Sequence, residues 1–156
     1  MNDPTKTVTR TEAPWYVGYP EPRTEAATIS RLELLHLFRD LKKPGRDFVL
    51  VDLRRTDHDG GTIRGSINLP AQSLYPTIPV LYSLLAAAKV PKVVWYCGSS
   101  RGRGTRAAGW FADYLKEQND LLLESLVLEG GIKGWATAGQ EYTRLMDEYD
   151  ASAWSP

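Results

Sequence analysis

Apolar residues in this chain fall into short dense runs joined by polar, glycine-bearing segments. "DFVLVDL" (47–53), "KVVWYC" (92–97) and "ESLVLEGG" (124–131) are apolar for most of their length instead of alternating, as expected of strands covered on both faces. "SINLP" (66–70) reads as a shorter strand after the turn "HDGGTIRG" (58–65). Between these runs the period lengthens to that of a helix. Leu34, Leu37, Phe38 and Leu41 form a stripe at helical spacing, opened by Ser30 and Glu33 in capping-box register and by Ile29 and Leu34 in staple register. Lys42 and Lys43 suit the negative end of that helix, and Pro44-Gly45 stops it. "PVLYSLLAAAKV" (79–90) is helical. So is "RGTRAAGWFADYLKEQ" (103–118), with Ala108, Phe111, Ala112 and Leu115 expected inward, and "IKGWATAGQEY" (132–142) is a short helix. Strands alternating with helices predict an α/β domain with a mostly parallel central sheet and helices on both faces.

The helix-and-strand pattern runs from 27 to 140, and a chain of 156 residues is long enough for one core of this kind. Residues 1–26 are polar and hold four of the ten prolines; they are expected to form a loose, flexible N-terminal arm that Trp15 and Tyr16 pin to the domain. Residues 141–156 read as a polar C-terminal tail, docked on the domain or on a second copy. Trp135 is expected in the core, holding the last helix on the sheet.

Charge narrows the function classes. Lys+Arg and Asp+Glu balance at 19 each, so neither nucleic acid nor an anionic membrane is indicated as a partner. No apolar run approaches the ~18 residues of a membrane-crossing helix, and the first residues lack the apolar centre of a secretory signal. A single cysteine excludes an internal disulfide and points to a reducing compartment, the cytoplasm or the nucleus. One cysteine and two histidines leave no structural zinc set, and no bound cofactor or metal is expected.

That cysteine, Cys97, ends "KVVWYC" and is followed by Gly98, Ser99, Ser100, Arg101, Gly102 and Arg103. Two readings stand: a buried thiol closing a core strand, or a nucleophile inside an anion cradle. Position and context favour the second. In parallel sheets ligands bind beyond the carboxyl ends of the strands. Small residues there let the backbone curl so that several N–H groups converge, and the next helix adds its positive end. Arg103, at the loop-to-helix junction, can give a tetrahedral oxyanion two parallel hydrogen bonds. The same donors favour a thiolate. Cys97 and Arg103 are therefore the candidate catalytic pair. Gly98, Ser99, Ser100, Arg101 and Gly102 complete the oxyanion loop with Arg103, and Arg101 and Arg106 are candidate rim contacts. Asp52, ending its strand at the same sheet edge, is read first as a turn or cap carboxylate orienting the neighbouring backbone, with a general acid as its alternative. His58 is expected at the surface, and His36 as a structural or solvated residue of the first helix.

"CGSSRGRGTR" (97–106) resembles the active loop of rhodanese-fold, cysteine-dependent phosphatases and arsenate reductases: Cys, five residues, Arg and Gly, with Ser third after Cys. "VDLRRTDHDGGTIRGSINLP" (51–70) is similar to the rhodanese segment Asp-x-Arg then Gly-x-Ile-x-Gly, and "LVLEGGIKGW" (126–135) to its closing strand and Gly-Gly-x-x-x-Trp. The likeness spans about residues 28–138 and implies the rhodanese fold. Sulfurtransferases of this fold close a tighter loop, with a cationic or small residue five positions after Cys; here that position is Gly102 and the arginine is sixth. The wider loop and the short Asp52–Gly61 turn match the branch of fungal arsenate reductases and cell-cycle phosphatases. Tyr96 and Thr62 depart from the family, which usually has His at both places. Gly102 stands where the cell-cycle phosphatases carry Glu. The resemblance implies arsenate reduction first, with Cys97 attacking arsenic and an external thiol, glutathione or glutaredoxin, completing the reduction because no second cysteine exists. Phosphoester hydrolysis ranks second, then sulfur transfer, then a non-catalytic phospho-ligand module. The expected substrate is a small oxyanion or a phosphorylated molecule.

Overall fold

Seven strands and five helices succeed one another along residues 13–155, the residues that the computed structural model describes. In chain order they are β1 (Ala27–Ile29), α1 (Arg31–Arg39), β2 (Val49–Asp52), β3 (Thr62–Ile63), β4 (Ile67–Asn68), α2 (Ile78–Ala87), β5 (Lys92–Tyr96), α3 (Arg103–Glu117), β6 (Glu124–Leu128), α4 (Gly131–Ala136), α5 (Gln140–Thr143) and β7 (Met146–Asp147). Five of the strands form one parallel sheet in the order β1-β6-β5-β2-β4. β5 lies at its centre, so its last residues reach the middle of the carboxyl edge.

The pleat divides the core. Val49, Val51, Val93, Trp95 and Cys97 face a layer containing Ala107, Ala108 and Phe111 of α3 and Ile78 and Leu85 of α2. Leu50, Val94, Tyr96, Leu126 and Leu128 face the other layer, with Leu34 and Leu35 of α1, Ile132 and Trp135 of α4, and Tyr142. Both faces of the sheet are covered, and the α/β expectation holds.

Local signals set the helix ends in places. Ser30 caps α1: its hydroxyl accepts from the Glu33 N–H while the Glu33 carboxylate accepts from the Ser30 N–H, completing the capping box. The stripe on α1 is shorter than its spacing predicts. The helix ends at Arg39, and Leu41 takes a left-handed φ of 60°. Its N–H bonds the Phe38 carbonyl and the Lys42 N–H bonds the Leu37 carbonyl, a Schellman closure. Leu41 is thereby turned out to solvent, and Leu35 is buried instead. In α3, Ala108, Phe111 and Leu115 are buried while Ala112 is half-buried, with Trp110 taking the extra inward place.

Both ends of the described chain are integral to the fold. Residues 1–12 of the expected arm and Pro156 lie outside the described residues. Residues 13–26 form a strap laid over α3. The Trp110 indole donates to the Pro20 carbonyl at 2.7 Å, and the Asp113 carboxylate accepts from the backbone N–H of Arg23 and Thr24 at 2.9 and 2.8 Å. Trp15 and Tyr19 meet Trp110 edge-on at 5.9 and 5.8 Å between ring centroids. The tail contributes β7, which pairs antiparallel with β3, and Trp154, which donates to the Gly60 carbonyl at 3.0 Å.

Candidate active site

Cys97 comes directly after β5 and lies buried on the α3 side of the sheet. Three anchors shape the loop beyond it. Ser100 adopts a left-handed φ of 63° and is buried, its hydroxyl 3.4 Å from the Cys97 N–H that donates to it. Behind the loop, the first turn of α4 takes two carbonyls: Ile132 N–H donates to Cys97 O at 3.0 Å, and Lys133 N–H to Gly98 O at 3.1 Å. Ahead of it, the Thr105 hydroxyl donates to Arg101 O at 2.7 Å. With those acceptors satisfied elsewhere, and the Cys97 and Arg101 N–H groups donating only at 3.4 and 3.5 Å to the Ser100 and Ser99 hydroxyls, the other N–H groups of the loop are what remains for a ligand, which is the requirement for an anion nest. Gly131 makes the rear anchor sterically feasible: a Cβ there would stand 2.5 Å from Cys97 O and 2.6 Å from Gly98 O. α3 then begins at Arg103 behind Gly102, an N-cap with no side-chain hydrogen bond, so its positive end is uncovered at the loop.

A cavity of about 410 Å3 opens here. The loop and α3 supply Cys97, Ser99, Gly102, Arg103 and Arg106; the strap supplies Trp15 and Tyr16; the turn after β4 supplies Gln72. A larger groove of about 470 Å3, between Pro20, Tyr75, Trp110 and Tyr114, contains no thiol.

Arg103 is held by a partner that the sequence reading did not single out. Its two terminal nitrogens donate to the two oxygens of Asp57 at 2.8 and 2.6 Å. These bonds hold the Asp57 carboxyl well below the usual carboxylate range and raise Arg103, which Cys97 also helps to keep charged. The pair fixes the plane of the guanidinium. Nothing in the spacing pointed to Asp57, which lies 46 residues before Arg103 in a turn that the fold alone brings to the loop.

The structure decides or changes the reading of three further residues. Asp52 does stop at the same sheet edge as Cys97, but its side chain belongs to the opposite face. It is fully buried, and Arg54 grips it with Nε at 3.0 Å and a terminal nitrogen at 2.7 Å, while the Thr62 hydroxyl donates at 2.8 Å. This is the turn-orienting role, played on the face of the sheet away from Cys97. Arg101 is exposed and borders only a neighbouring groove with Glu21, Pro22 and Thr105, because it precedes α3; Arg106, one turn after Arg103, lines both that groove and the cavity. His58 is half-buried, with Nε2 3.2 Å from Asp52 Oδ2 yet outside hydrogen-bond geometry.

The two departures from the family pattern meet each other. Thr62 Oγ1 and the Tyr96 hydroxyl are 2.7 Å apart, and the Ile63 N–H donates to the same phenol at 3.2 Å. Burial first, then the Asp52 charge, pushes the Tyr96 phenol up, so it stays neutral.

Residues 35–138 match the rhodanese-like domain. The chain belongs to that family. Among rhodanese-like relatives, Arsenical-resistance protein 2 of Saccharomyces cerevisiae is 31% identical over 103 residues, 62% of this chain and 79% of that protein. Arsenate reductase 2.1 of Oryza sativa subsp. japonica is 34% identical over 90 residues, 54% of this chain and 53% of that protein, so the match spans about half of it. The structure of an As-Sb reductase from Leishmania major superposes with a TM-score of 0.68 at 26% identity, covering 78% of this chain and 84% of that one. A yeast protein tyrosine phosphatase of the rhodanese family gives a TM-score of 0.70 at 22% identity, over 85% and 99% of the two chains, a likeness of fold. No helix among the described residues is long and apolar enough to cross a membrane.

Proposed function

We propose that this rhodanese-like protein reduces arsenate with electrons from an external thiol. The observation that carries the reading is the makeup of the Cys97 cavity: one thiol, two guanidinium groups and no carboxylate among its lining residues. Such a site can hold an oxyanion and attack it, but it lacks the acid that an alkyl phosphoester needs to expel its alkoxide. Arsenate makes no such demand, since its departing oxygen takes protons and leaves as water.

In this reading Arg103, the loop N–H groups and the start of α3 hold arsenate. The Cys97 thiolate bonds to arsenic, and water leaves. A small thiol such as glutathione then attacks the Cys97 sulfur. The sulfur–arsenic bond breaks with its electron pair remaining on arsenic, which passes from As(V) to As(III) and takes up protons as arsenous acid. The mixed disulfide left on Cys97 is reduced by a second thiol or by glutaredoxin, restoring the thiol and releasing a disulfide. Two thiols are oxidised for each arsenic reduced. The outside donor is needed because Cys97 is the sole cysteine of the chain. The names of the two curated relatives, an arsenical-resistance protein and an arsenate reductase, support the substrate.

Hydrolysis of aryl phosphates is the second reading, favoured by the aromatic wall of Trp15 and Tyr16. The test measures arsenite release from arsenate with and without glutathione and glutaredoxin, beside hydrolysis of alkyl and aryl phosphates, with Cys97→Ser as the inactive control. Thiol-dependent arsenite release that saturates in the thiol is the expected result. Rapid alkyl phosphate cleavage with no arsenite would sink the proposal.

A further inference from the structure

The oxyanion loop occupies only part of its cavity. A volume of about 410 Å3 falls within the ~300–1,000 Å3 range that takes a drug-sized organic molecule, whereas arsenate is a single atom with four oxygens. The rest of the wall is Trp15, Tyr16, Gln72 and Arg106. Arg106 lies one helical turn beyond Arg103, close enough to serve a molecule that touches both.

Two atoms in this wall lack what buried polar atoms normally have. Arg106 Nη1 is buried without a hydrogen-bond acceptor, and Gln72 Oε1 is buried without a donor. The Arg106 guanidinium is stacked on the face of Tyr16, 3.5 Å from the ring centroid, which fixes its plane and leaves its edge as the donor. Glu21 Oε2 lies 2.9 Å from Nη1 but out of hydrogen-bond geometry, on a side chain 74% exposed. Solvent screens such a pairing, and an incoming carboxylate can replace it. Arg103, by contrast, already has its acceptor in Asp57. The cavity thus presents one unmet donor with positive charge and one unmet neutral acceptor, both beside the nucleophile.

We infer that Arg106, Gln72 and Tyr16 form a subsite for the thiol co-substrate, and that this subsite selects a small cysteinyl peptide bearing a free carboxylate and an amide or amine N–H. The carboxylate is received by Arg106 and the N–H by Gln72 Oε1, with Trp15 and Tyr16 as the flat walls between. The inference rests on the reductase reading for its chemistry, but the binding it describes can be measured without turnover.

The experiment has two arms, each on the full chain and on Arg106→Gln, with Arg106→Lys as the charge-keeping variant and thermal unfolding as the check on folding. The first arm titrates S-methylglutathione, which cannot react, and reads tryptophan fluorescence, since Trp15 lines the wall. Saturable binding is expected, weakened at least tenfold in Arg106→Gln and less in Arg106→Lys. The second arm measures arsenite release with glutathione and with cysteamine, a thiol without a carboxylate. Arg106→Gln is expected to raise the KM for glutathione and to lower the preference for glutathione over cysteamine at least tenfold, with the KM for arsenate changed far less. An unchanged preference, or a KM increase shared equally by arsenate, overturns the subsite. So does the absence of saturable S-methylglutathione binding in the unmodified protein. Binding that is saturable and Arg106-dependent, with no arsenite from any donor, upholds the subsite and removes the reductase reading.

Discussion

Replacing Gly131 with alanine tests how the oxyanion loop is held. Gly131 and its neighbour Gly130 both have positive φ, 59° and 78°, so alanine at either place meets a backbone penalty of roughly 1–2 kcal/mol. They differ in what a Cβ would touch. At Gly130 the nearest atom is Gly134 Cα at 3.5 Å, an ordinary contact. At Gly131 it would stand 2.5 Å from Cys97 O and 2.6 Å from Gly98 O, where ordinary contact begins at 3.4 Å. The loop and the start of α4 must part by about 1 Å, stretching the Ile132 and Lys133 hydrogen bonds, now 3.0 and 3.1 Å, toward a separation at which they no longer count. Each is worth about 1 kcal/mol. Gly131→Ala is therefore expected to cost about 3–4 kcal/mol and Gly130→Ala about 1–2 kcal/mol. Urea unfolding monitored by fluorescence gives both values. Activity should separate them further, because a displacement of about 1 Å at a reacting group can cost on the order of a hundredfold. Gly131→Ala should lose that much in kcat/KM, and Gly130→Ala only a few-fold. Equal losses in the two variants would refute the close approach as the reason for glycine and leave backbone strain alone.

Arg103→Lys keeps the charge but loses the planar fork that Asp57 aligns, and is expected to lower kcat about a hundredfold or more; Arg101→Lys, an exposed change outside the cavity, should stay within about twofold. Asp57→Asn tests the pH behaviour of the clamp. Arg103 holds the folded-state carboxyl below its usual value, so the stability it lends is fully present above the unfolded value of about 4 and disappears only as pH falls through the folded one. The variant should lose the same stability at pH 6 as at pH 8, approach the parent protein near pH 2, and keep the shape of the pH–rate profile between 6 and 8; a shifted limb in that profile would make Asp57 a proton donor. Tyr96→Phe strips partners from the Thr62 hydroxyl and the Ile63 N–H and is expected to cost about 1–3 kcal/mol in urea unfolding.

Elements whose signal lies in adjacent residues were legible in the sequence. The apolar runs gave β2, β5 and β6, and Ser30 with Glu33 marked the start of α1. β1 and β3 were not readable: at 3 and 2 residues, and without the flanking apolar residues that marked β4, they show no period, and pairing with β6 and β7 is what makes them strands. The site divides the same way. Cys97 and Arg103 share one loop and could be named from it. Trp15, Tyr16 and Gln72 reach the cavity, and Asp57 reaches Arg103, through separate connections, and no local pattern joins them. Asp52 kept two readings because position along a strand says which edge a residue ends at, while the pleat decides which face its carboxylate serves.

β1 has a consequence for where this protein can be divided. The segment matched to the family starts at residue 35, after β1 and the strap. Cutting there would expose the Leu126–Leu128 stretch of β6, now paired with Ala27–Ile29, as an unguarded sheet margin of apolar residues. Such margins recruit strands from neighbouring molecules. Three residues of backbone at the rim thus cover that margin, and a domain cut at residue 35, which would also lose the capped first turn of α1, would be expected to self-associate through the rim.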